Sequence, residues 1–371
     1  MSEHQYYEFQ TIDRPLSTSE QAEIKKLSSR VQLTPTQAIF VYNFGDFRGK
    51  PEQILTQYFD AMFYIANWGT WQLMFRFPKA IIDPSWFVPY DLPNAITVTT
   101  TPKYIVLDIQ IIEEDGFGWV EGEGWLPELL PLRNDLLSGD LRLLYLVWLR
   151  VAPYLAGEEL DDDPIEPPIP PNLSQLSPPL EAFIKLVELN PDLVDAAAQA
   201  STRHQASSDL PLENWLSALS EAEKQKFLLK LLQREPHTDL QLINRLKELA
   251  GAGRSSPPFT PGQRRLSELE AIVDTLRAKR EQKEQNAAKK KRIKELEALA
   301  PQEAEAWQRV GQLIEFKQAK PYDEAAALLK DLLDLADYQG RLPEFDRRFE
   351  KLKSDYSNRP ALIARLRKIR S

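Results

Sequence analysis

The segment Trp71-Gln72-Leu73-Met74-Phe75-Arg76-Phe77 decides the fold class. A large apolar side chain stands at every second position, and a period of two places these side chains on one face of a β-strand. Residues 95–101 and 104–112 follow it, rich in Ile, Val and Thr, with Thr101-Pro102-Lys103 between them. This pattern predicts a β-hairpin. The three segments together predict a β-sheet in the N-terminal part of the chain.

Two further strands and a helix are predicted upstream of this segment. Residues 5–11 mix aromatic and polar side chains, and residues 36–42 have Ile, Phe and Val at their centre, so both favour strands. Ser17 and Glu20 have the spacing of a capping box, in which each side chain satisfies a backbone N–H of the other residue. The sequence therefore predicts a helix that begins here and ends near Ser29.

A second helix is predicted to begin at Pro51, where the missing N–H costs nothing, and to continue through an apolar run as far as Ile65. Gly69 provides its stop. Residues 136–151 are apolar enough for a buried helix. The order of elements predicts an α+β domain over residues 1–156, with four or five strands, helices on one face of the sheet and a ferredoxin-like or related sandwich arrangement.

Composition divides the rest of the chain. Residues 157–177 are rich in acidic side chains and proline, which predicts an extended and exposed linker. Residues 178–250 predict a small helical domain. Residues 251–262 form a second linker of Gly, Pro and Ser. Residues 263–371 predict a long helix followed by a helical hairpin, so that the fold class is α+β followed by all-α domains.

The long helix is predicted over residues 263–299. Its first part has apolar residues at the a and d positions of a heptad repeat, which suggests a coiled coil and a homo-oligomer formed through this helix. Residues 277–292 contain no aliphatic side chain larger than alanine, so this part must be solvated. The apolar pattern resumes at Ile293. Four more helices are predicted near residues 303–317, 321–338, 343–355 and 359–370.

The last helices have the size of a tetratricopeptide-like hairpin, with Gly340 and Pro360 as stops. Such a hairpin implies a groove for a peptide or for a helix of a partner. The candidate protein-binding residues are the aromatic side chains Trp307, Tyr322, Phe345 and Phe349.

Composition also excludes several classes of site. The 371 residues include no cysteine and three histidines, which excludes disulfides, thiol catalysis and zinc sites that use cysteine. His4, His204 and His237 have no ligand partner at i+3 or i+4, and neither a Walker A motif nor GxGxxG occurs. We expect no metal and no cofactor. The N-terminus lacks the features of a signal peptide, and no apolar run approaches the length of a membrane span, so we expect a cytoplasmic protein without membrane contact.

Charge is distributed unevenly. The net charge is −9, but residues 263–371 carry 25 Lys and Arg against 19 Asp and Glu, a net of +6, which leaves −15 for residues 1–262. One basic cluster stands in the long helix, where lysines could contact phosphates. Acidic residues interrupt it, and a solvated helix explains it equally well. The candidate nucleic-acid-binding residues are Arg277, Lys279, Arg280, Lys283, Lys289, Lys290, Lys291, Arg292 and Lys294.

The N-terminal domain offers candidates for a ligand pocket. Aromatic side chains there are accompanied by polar ones, and a buried pair of carboxyl groups could act as general acid and base. Aromatic residues at helical or strand spacing are more often core residues, and Asp46 and Asp108 are explained as well by a turn and by a solvent-facing strand. The pocket candidates are Asp46, Asp60, Asn67, Trp68 and Arg76.

Two sets of motifs resemble known sequences. Gln5-Tyr6-Tyr7-Glu8-Phe9, Ile12-Asp13-Arg14-Pro15-Leu16 and Ala66-Asn67-Trp68-Gly69-Thr70 resemble the front of an uncharacterised bacterial protein family, and this resemblance implies no known activity. Tyr322-Asp323-Glu324-Ala325 and Arg359-Pro360-Ala361-Leu362 resemble helical segments seen near SWIM-type zinc fingers. The zinc ligands of those fingers include cysteine, so no zinc function carries over.

The sequence therefore favours a non-enzymatic scaffold or adaptor that binds a protein partner. The first alternative is a nucleic-acid-associated protein that uses the basic cluster at residues 277–294. The second alternative is an enzyme with a carboxylate site in the N-terminal domain.

Overall fold

Seven strands form one antiparallel sheet in the N-terminal part of the chain, in the order β2-β3-β1-β4-β5-β7-β6. The structure is a computed structural model that describes residues 4–113, 122–158, 160–203, 212–249 and 259–369. The strands are β1 (Gln5–Gln10), β2 (Gln32–Leu33), β3 (Gln37–Tyr42), β4 (Ala61–Ala66), β5 (Thr70–Pro78), β6 (Ile96–Thr100) and β7 (Tyr104–Ile112).

Fifteen helices accompany the sheet within the described residues. They are α1 (Thr18–Lys25), α2 (Pro51–Tyr58), α3 (Trp125–Leu129), α4 (Pro131–Leu137), α5 (Arg142–Leu155), α6 (Pro178–Leu186), α7 (Pro191–Ala198), α8 (Leu212–Ser217), α9 (Glu221–Leu232), α10 (Thr238–Leu249), α11 (Leu266–Leu299), α12 (Glu303–Glu315), α13 (Ala319–Tyr338), α14 (Leu342–Asp355) and α15 (Pro360–Arg367). The α+β class followed by helices is confirmed.

The chain forms two compact units, residues 1–276 and residues 277–371. The predicted linkers at 157–177 and 251–262 therefore do not separate compact units, because the segments around them pack into the first unit. The ring of Phe183 on α6, for example, meets that of Trp71 on β5 edge to face at a centroid distance of 5.8 Å.

The sheet has a hydrophobic core on each face. The alternating apolar side chains of β5 lie in the larger core with α3 to α7 and the start of α11. Met62 and Met74 lie in the smaller core, which α1 and α2 cover through Ile24 and Leu55. Helices therefore lie on both faces, and the prediction of one covered face was wrong. The central strands β1 and β4 show the reason, since nearly all of their side chains are buried.

The predicted helix over residues 51–65 is the largest error in the secondary structure. The helix α2 ends at Tyr58, and β4 begins at Ala61. All six residues of β4 are buried. A strand buried on both faces has a continuous apolar run, which periodicity alone cannot distinguish from a buried helix.

The sheet has seven strands instead of four or five. The two that the sequence did not indicate are β4 and the two-residue β2. All six neighbouring pairs are antiparallel. In a ferredoxin-like fold, two strands joined by a helix are separated by another strand of the sheet. Here β1 and β3, which lie on either side of α1 in the chain, are direct neighbours, so the ferredoxin-like arrangement was wrong. The hairpin of β6 and β7 is confirmed, with Val98 opposite Leu107.

The first linker is exposed as predicted only in part, for example at residues 157–158 and 161–162. Pro164, Glu166, Pro167, Ile169 and Pro170 are all buried. The burial arises because residues 164–169 lie beside residues 260–266, an arrangement that we call the linker pair. Of the second predicted linker, residues 251–258 lie outside the described residues.

Backbone hydrogen bonds hold the linker pair together. Ile169 and Thr260 exchange two of them, at N···O distances of 2.7 and 2.9 Å, and the N–H of Glu166 donates to Arg264 O at 2.9 Å. Gly262 lies so close to the other segment that a Cβ there would be 2.0 Å from Glu166 O and 2.5 Å from Pro167 O. Only a residue without a side chain fits this position.

A buried ion pair fixes the same place. Glu166 Oε1 accepts from Arg264 Nε at 2.7 Å, and its Oε2 accepts from Arg264 Nη2 at 2.8 Å and from the Tyr145 hydroxyl at 2.5 Å. Arg264 also donates to the carbonyl oxygens of Ala196 and Ala197 at the end of α7. Burial alone raises the pKa of Glu166, but the hydrogen bonds from Arg264 and Tyr145 outweigh it, so that the pKa is lowered. The carboxylate is thus fully engaged by the fold.

The long helix α11 confirms its prediction within a few residues. Its heptad positions Leu266, Leu269 and Val273 are buried in the larger core of the first unit. They pack against residues of their own chain, which leaves no apolar seam there for a second copy. The homo-oligomer through this helix stays a prediction.

The second unit has a core of its own. Four helices, α12 to α15, bury a common set of apolar side chains, and the observed helix ends lie within a few residues of those predicted. Gly340 adopts a left-handed conformation (φ +70°) directly after α13, and Pro360 begins α15. These two residues are the stops that the sequence indicated.

Candidate functional site

The five pocket candidates lie at opposite ends of β4. Asp60 precedes this strand and pairs with Arg76, whereas Asn67 and Trp68 follow it. Seven residues of extended chain separate Asp60 from Asn67, which is roughly 23 Å. Asp46 is exposed in a turn and accepts a hydrogen bond of 3.4 Å from Gln5, at the Asn67 end. The structure therefore does not assemble these residues into one pocket.

Asp60 is almost completely buried, at 1% exposure, and both of its carboxylate oxygens accept hydrogen bonds. Its Oδ1 accepts from Arg76 Nη2 at 2.7 Å. Its Oδ2 accepts from the backbone N–H groups of Ile12 and Asp13, at 2.7 and 2.9 Å. A carboxylate that is paired and hydrogen-bonded in this way holds the loop after β1 against the end of β4.

The neighbouring Asp13 joins three distant parts of the chain. Its carboxylate accepts two hydrogen bonds from Arg133 on α4, at 3.0 and 3.1 Å. Its Oδ1 also lies 2.8 Å from His237 Nε2, just before α10. Arg133 is fully buried and donates further to the carbonyl oxygen of Arg76. We call Asp13, Asp60, Arg76, Arg133 and His237 the charge network.

The electrostatics of the charge network indicate a structural role. Burial alone raises the pKa of Asp13, but the hydrogen bond from His237 and the charge of Arg133 outweigh it, and the pKa is lowered. An ionised Asp13 between two donors has no raised pKa with which to act as a general acid at neutral pH. Of the pocket candidates, the structure therefore brings Asp60 and Arg76 together, and it uses both to fasten the loop after β1.

Glu8 is a buried carboxyl group that sequence reasoning missed. Its side chain is 1% exposed and accepts hydrogen bonds from the Tyr6 hydroxyl at 2.8 Å and from Gln37 Nε2 at 2.6 Å. Burial raises its pKa despite these bonds. The available signal was the alternation of the strand. Residues 6 and 8 of β1 lie on the same face, so Glu8 shares the buried face of Tyr6.

Asp108 on β7 is half-buried, not on a solvent face as one interpretation of the sequence had it. Gln72 Nε2 on β5 donates to both of its carboxylate oxygens, at 2.8 Å each. Burial raises the pKa of Asp108 to about 6, with a smaller contribution from the negative charge of Glu52, and the hydrogen bond from Gln72 opposes the shift.

We expect Asp108→Asn to stabilise the first unit at neutral pH. The folded carboxyl group holds its proton up to about pH 6, while the unfolded one, with a pKa near 3.9, has already lost it. Stability therefore falls as the pH rises from about 4 to 6, and the full penalty of up to about 3 kcal/mol applies above that range. Urea unfolding at pH 4 and pH 8 should show a gain for the variant at pH 8 only. An equal difference at both pH values would contradict this assignment.

A cleft of about 580 Å³ in the first unit is lined by Arg150, Tyr154, Glu188, Glu270 and Asp274, among others. The Arg150 guanidinium is engaged, since it contacts Glu113, donates to Val187 O at 2.7 Å and stacks over the Tyr154 ring. The other charged side chains named are acidic. This cleft therefore does not offer a free cation for an anionic ligand.

Three of the four candidate protein-binding residues are core residues of the second unit. Tyr322, Phe345 and Phe349 are 6%, 3% and 2% exposed and belong to its hydrophobic cluster. They close the core between α12, α13 and α14, and little of their surface is exposed to a partner. Trp307 is half-buried and remains accessible.

Trp307 lines a cleft of about 450 Å³ together with Phe345, Arg347, Arg348 and Lys351. We call this cleft the basic groove. The guanidinium carbon of Arg348 lies 5.2 Å from the centroid of the Trp307 ring, a cation–π contact. The three cations stand on α14 at positions that helical periodicity places on one face. Sequence reasoning missed them, although this spacing was visible.

The candidate nucleic-acid-binding residues are exposed, with one exception. Residues 277–291 of α11 are exposed throughout, as is Lys294. Arg292 is half-buried and bridges Asp331 and Asp334 on α13, at 2.7 and 2.5 Å. This residue is therefore part of the packing of the second unit, and its positive charge is neutralised there.

Within the described residues, no group of three or more His, Asp or Glu side chains is arranged to hold a metal ion. In the same part of the chain, no helix combines the length and apolar character needed to cross a membrane.

Comparison with known proteins leaves the family of this chain open. The search of protein-family models, the search of curated proteins and the search of solved structures each find no match to it.

Proposed function

We propose that this protein is a non-enzymatic adaptor, and that the basic groove of its second unit receives an acidic segment of a protein partner. The basic groove is the observation that carries this proposal. An accessible indole beside several cations provides an apolar contact area and a positive charge that attracts an acidic ligand. The cytoplasmic location stays a prediction from the sequence.

The charge balance of the groove favours an acidic ligand. Arg341 at its edge is engaged by Glu303 at 2.7 Å and lies 3.8 Å from Glu344. Arg347, Arg348 and Lys351 make no ion pair with the residues that the structure describes. Three cations that line the same cleft as Trp307 thus remain for a partner.

The geometry limits the size of the ligand. A cleft of about 450 Å³ accommodates a few side chains, not a folded domain. An acidic peptide segment with one large apolar residue fits these dimensions, because the apolar residue can cover Trp307 while carboxylates reach the cations of α14.

The test is a display library of random 12-residue peptides, selected on the full chain. We expect enriched peptides to combine Asp or Glu with an aromatic or aliphatic residue. The variant Arg347→Glu/Lys351→Glu should bind them at least about tenfold more weakly, because like charges then face each other.

The matched control is Lys320→Glu/Lys330→Glu, which makes the same change in net charge at exposed positions of α13. It should bind the selected peptides as the wild type does. Enrichment of neutral or basic peptides, or equal losses in both double variants, would overturn the proposed groove.

A further inference from the structure

The solvated part of α11 carries its lysines on one side. An α-helix turns by about 100° per residue, so that positions can be placed around its axis from the sequence once the helix is established. Five lysines fall within an arc of roughly 120°. They are Lys279, Lys283, Lys290, Lys291 and Lys294, and Arg280 lies in the same arc. We call the five residues the lysine stripe.

The lysine stripe lies on the side of α11 that faces away from α13. The face of α11 that packs there is marked by Arg292, which bridges Asp331 and Asp334, and by the buried Leu296. These positions lie roughly 180° around the axis from the centre of the stripe. All five lysines are exposed, and none of them makes an ion pair with another described residue.

The stripe contains an internal repeat. Lys279 and Lys290 are eleven residues apart, as are Lys283 and Lys294. Eleven residues make three helical turns, so each cation recurs on the same side after about 16 Å. The positive charge therefore forms two clusters along about 22 Å of one helix face.

We propose that the lysine stripe binds the phosphate backbone of double-stranded nucleic acid without sequence preference. This binding site goes beyond the proposed adaptor function and does not depend on it. Phosphate contacts need only correctly spaced cations, and they position a protein without reading bases. The spacing of the two clusters is comparable with the distance that lysine side chains must span across a major groove about 12 Å wide.

The chemistry of the stripe favours nucleic acid over two other anionic surfaces. A membrane-surface helix needs large apolar residues opposite its cations, and residues 277–291 contain none larger than alanine. A protein interface of comparable strength relies on buried aromatic or arginine anchors, and the stripe consists of lysines.

Salt dependence of binding to a random-sequence 24-bp DNA duplex tests the proposal on the full chain. Five phosphate contacts predict a slope of log K against log salt of about −4.5, which is a loss of about 500-fold in affinity between 50 and 200 mM salt. Lys290→Gln should reduce that loss to about 150-fold, and Lys279→Gln/Lys283→Gln/Lys290→Gln/Lys294→Gln to about threefold.

Lys289→Gln is the matched control. Lys289 is the sequence neighbour of Lys290 and equally exposed, but the helical turn places it about 100° away, outside the stripe. Glutamine has nearly the helix propensity of lysine, and circular dichroism verifies that the helix is retained. We expect the control to keep the wild-type slope.

Three results would overturn the proposal. The first is the absence of binding to the duplex at 50 mM salt. The second is an equal slope of log K against log salt for the Lys289 and Lys290 variants. The third is binding to phosphatidylserine vesicles or to polyglutamate that is as tight as, or tighter than, binding to the duplex. None of them bears on the basic groove, which the peptide selection tests separately.

Discussion

An Arg133→Met variant should lose about 3–5 kcal/mol of the stability of the first unit. Removing one partner of a buried ion pair leaves the other charge without compensation in a medium of low polarity. Here Arg133 is fully buried, binds the carboxylate of Asp13 through two hydrogen bonds and lies 3.8 Å from Asp60. Urea unfolding followed by tryptophan fluorescence would measure the loss.

Two companion variants separate the buried charge from a general effect of removing arginine. Arg14→Met breaks the solvent-exposed pair with Glu20 and should cost no more than about 1 kcal/mol. Arg133→Met/Asp13→Asn should recover part of the loss, because the stranded carboxylate is then neutral. Purely additive effects of the two changes would show that the charge network does not couple them.

Gly262→Ala is expected to destabilise the first unit by about 3 kcal/mol or more, since the added Cβ would overlap backbone oxygen atoms of the linker pair. Backbone atoms cannot move aside as the end of a flexible side chain can, so residues 164–169 and 260–266 would have to separate. Thermal unfolding would report a lower transition temperature for the first unit.

Gly311→Ala provides the comparison for this substitution. Gly311 lies in the interior of α12, and a Cβ there meets nothing within 4 Å. Alanine should stabilise that helix by about 0.5–1 kcal/mol, because glycine loses more backbone entropy on folding. A wild-type transition temperature for Gly262→Ala would contradict the close approach of the two segments.

Patterns of neighbouring residues predicted those strands and helices whose secondary structure depends on neighbouring residues alone. The alternation in β5, the hairpin of β6 and β7, and the helices bounded by proline or glycine in the second unit all follow from neighbouring residues. The strand β4 could not be predicted in this way, because its burial on both faces depends on β1 and β5, which flank it in the sheet.

The linkers and the charge network show a different limit. The prolines of residues 164–170 favoured an exposed linker, yet a segment about a hundred residues later covers them. Asp13 and His237 are 224 positions apart, so nothing in the sequence around either residue indicates the other. Ionic partners that meet only through the tertiary fold are invisible to local patterns.

The candidate site residues show the same difference between what local sequence indicates and what only the tertiary fold decides. The density of Lys and Arg along the sequence was sufficient to find the basic segment of α11. Aromatic residues alone were a poor guide in the second unit, because Tyr322, Phe345 and Phe349 fill its core. The accessible groove is marked by the cations beside Trp307, and distinguishing them required knowledge of which helix face was already covered.

The contact between Asp13 and His237 also sets the earliest point during synthesis at which the first unit can finish folding. The N-terminal strands leave the ribosome early, but His237 follows Asp13 by 224 residues, and the apolar side chains of α11 that cover the larger core come later still. The last strand of the sheet ends at Ile112, and α11 covers the larger core as far as Val273, 161 residues later. At translation rates of about 5–20 residues per second, the nascent sheet waits roughly 8–32 s for this last covering segment. During that interval its apolar face is exposed and prone to aggregation, and the rate of elongation bounds how soon the first unit can mature.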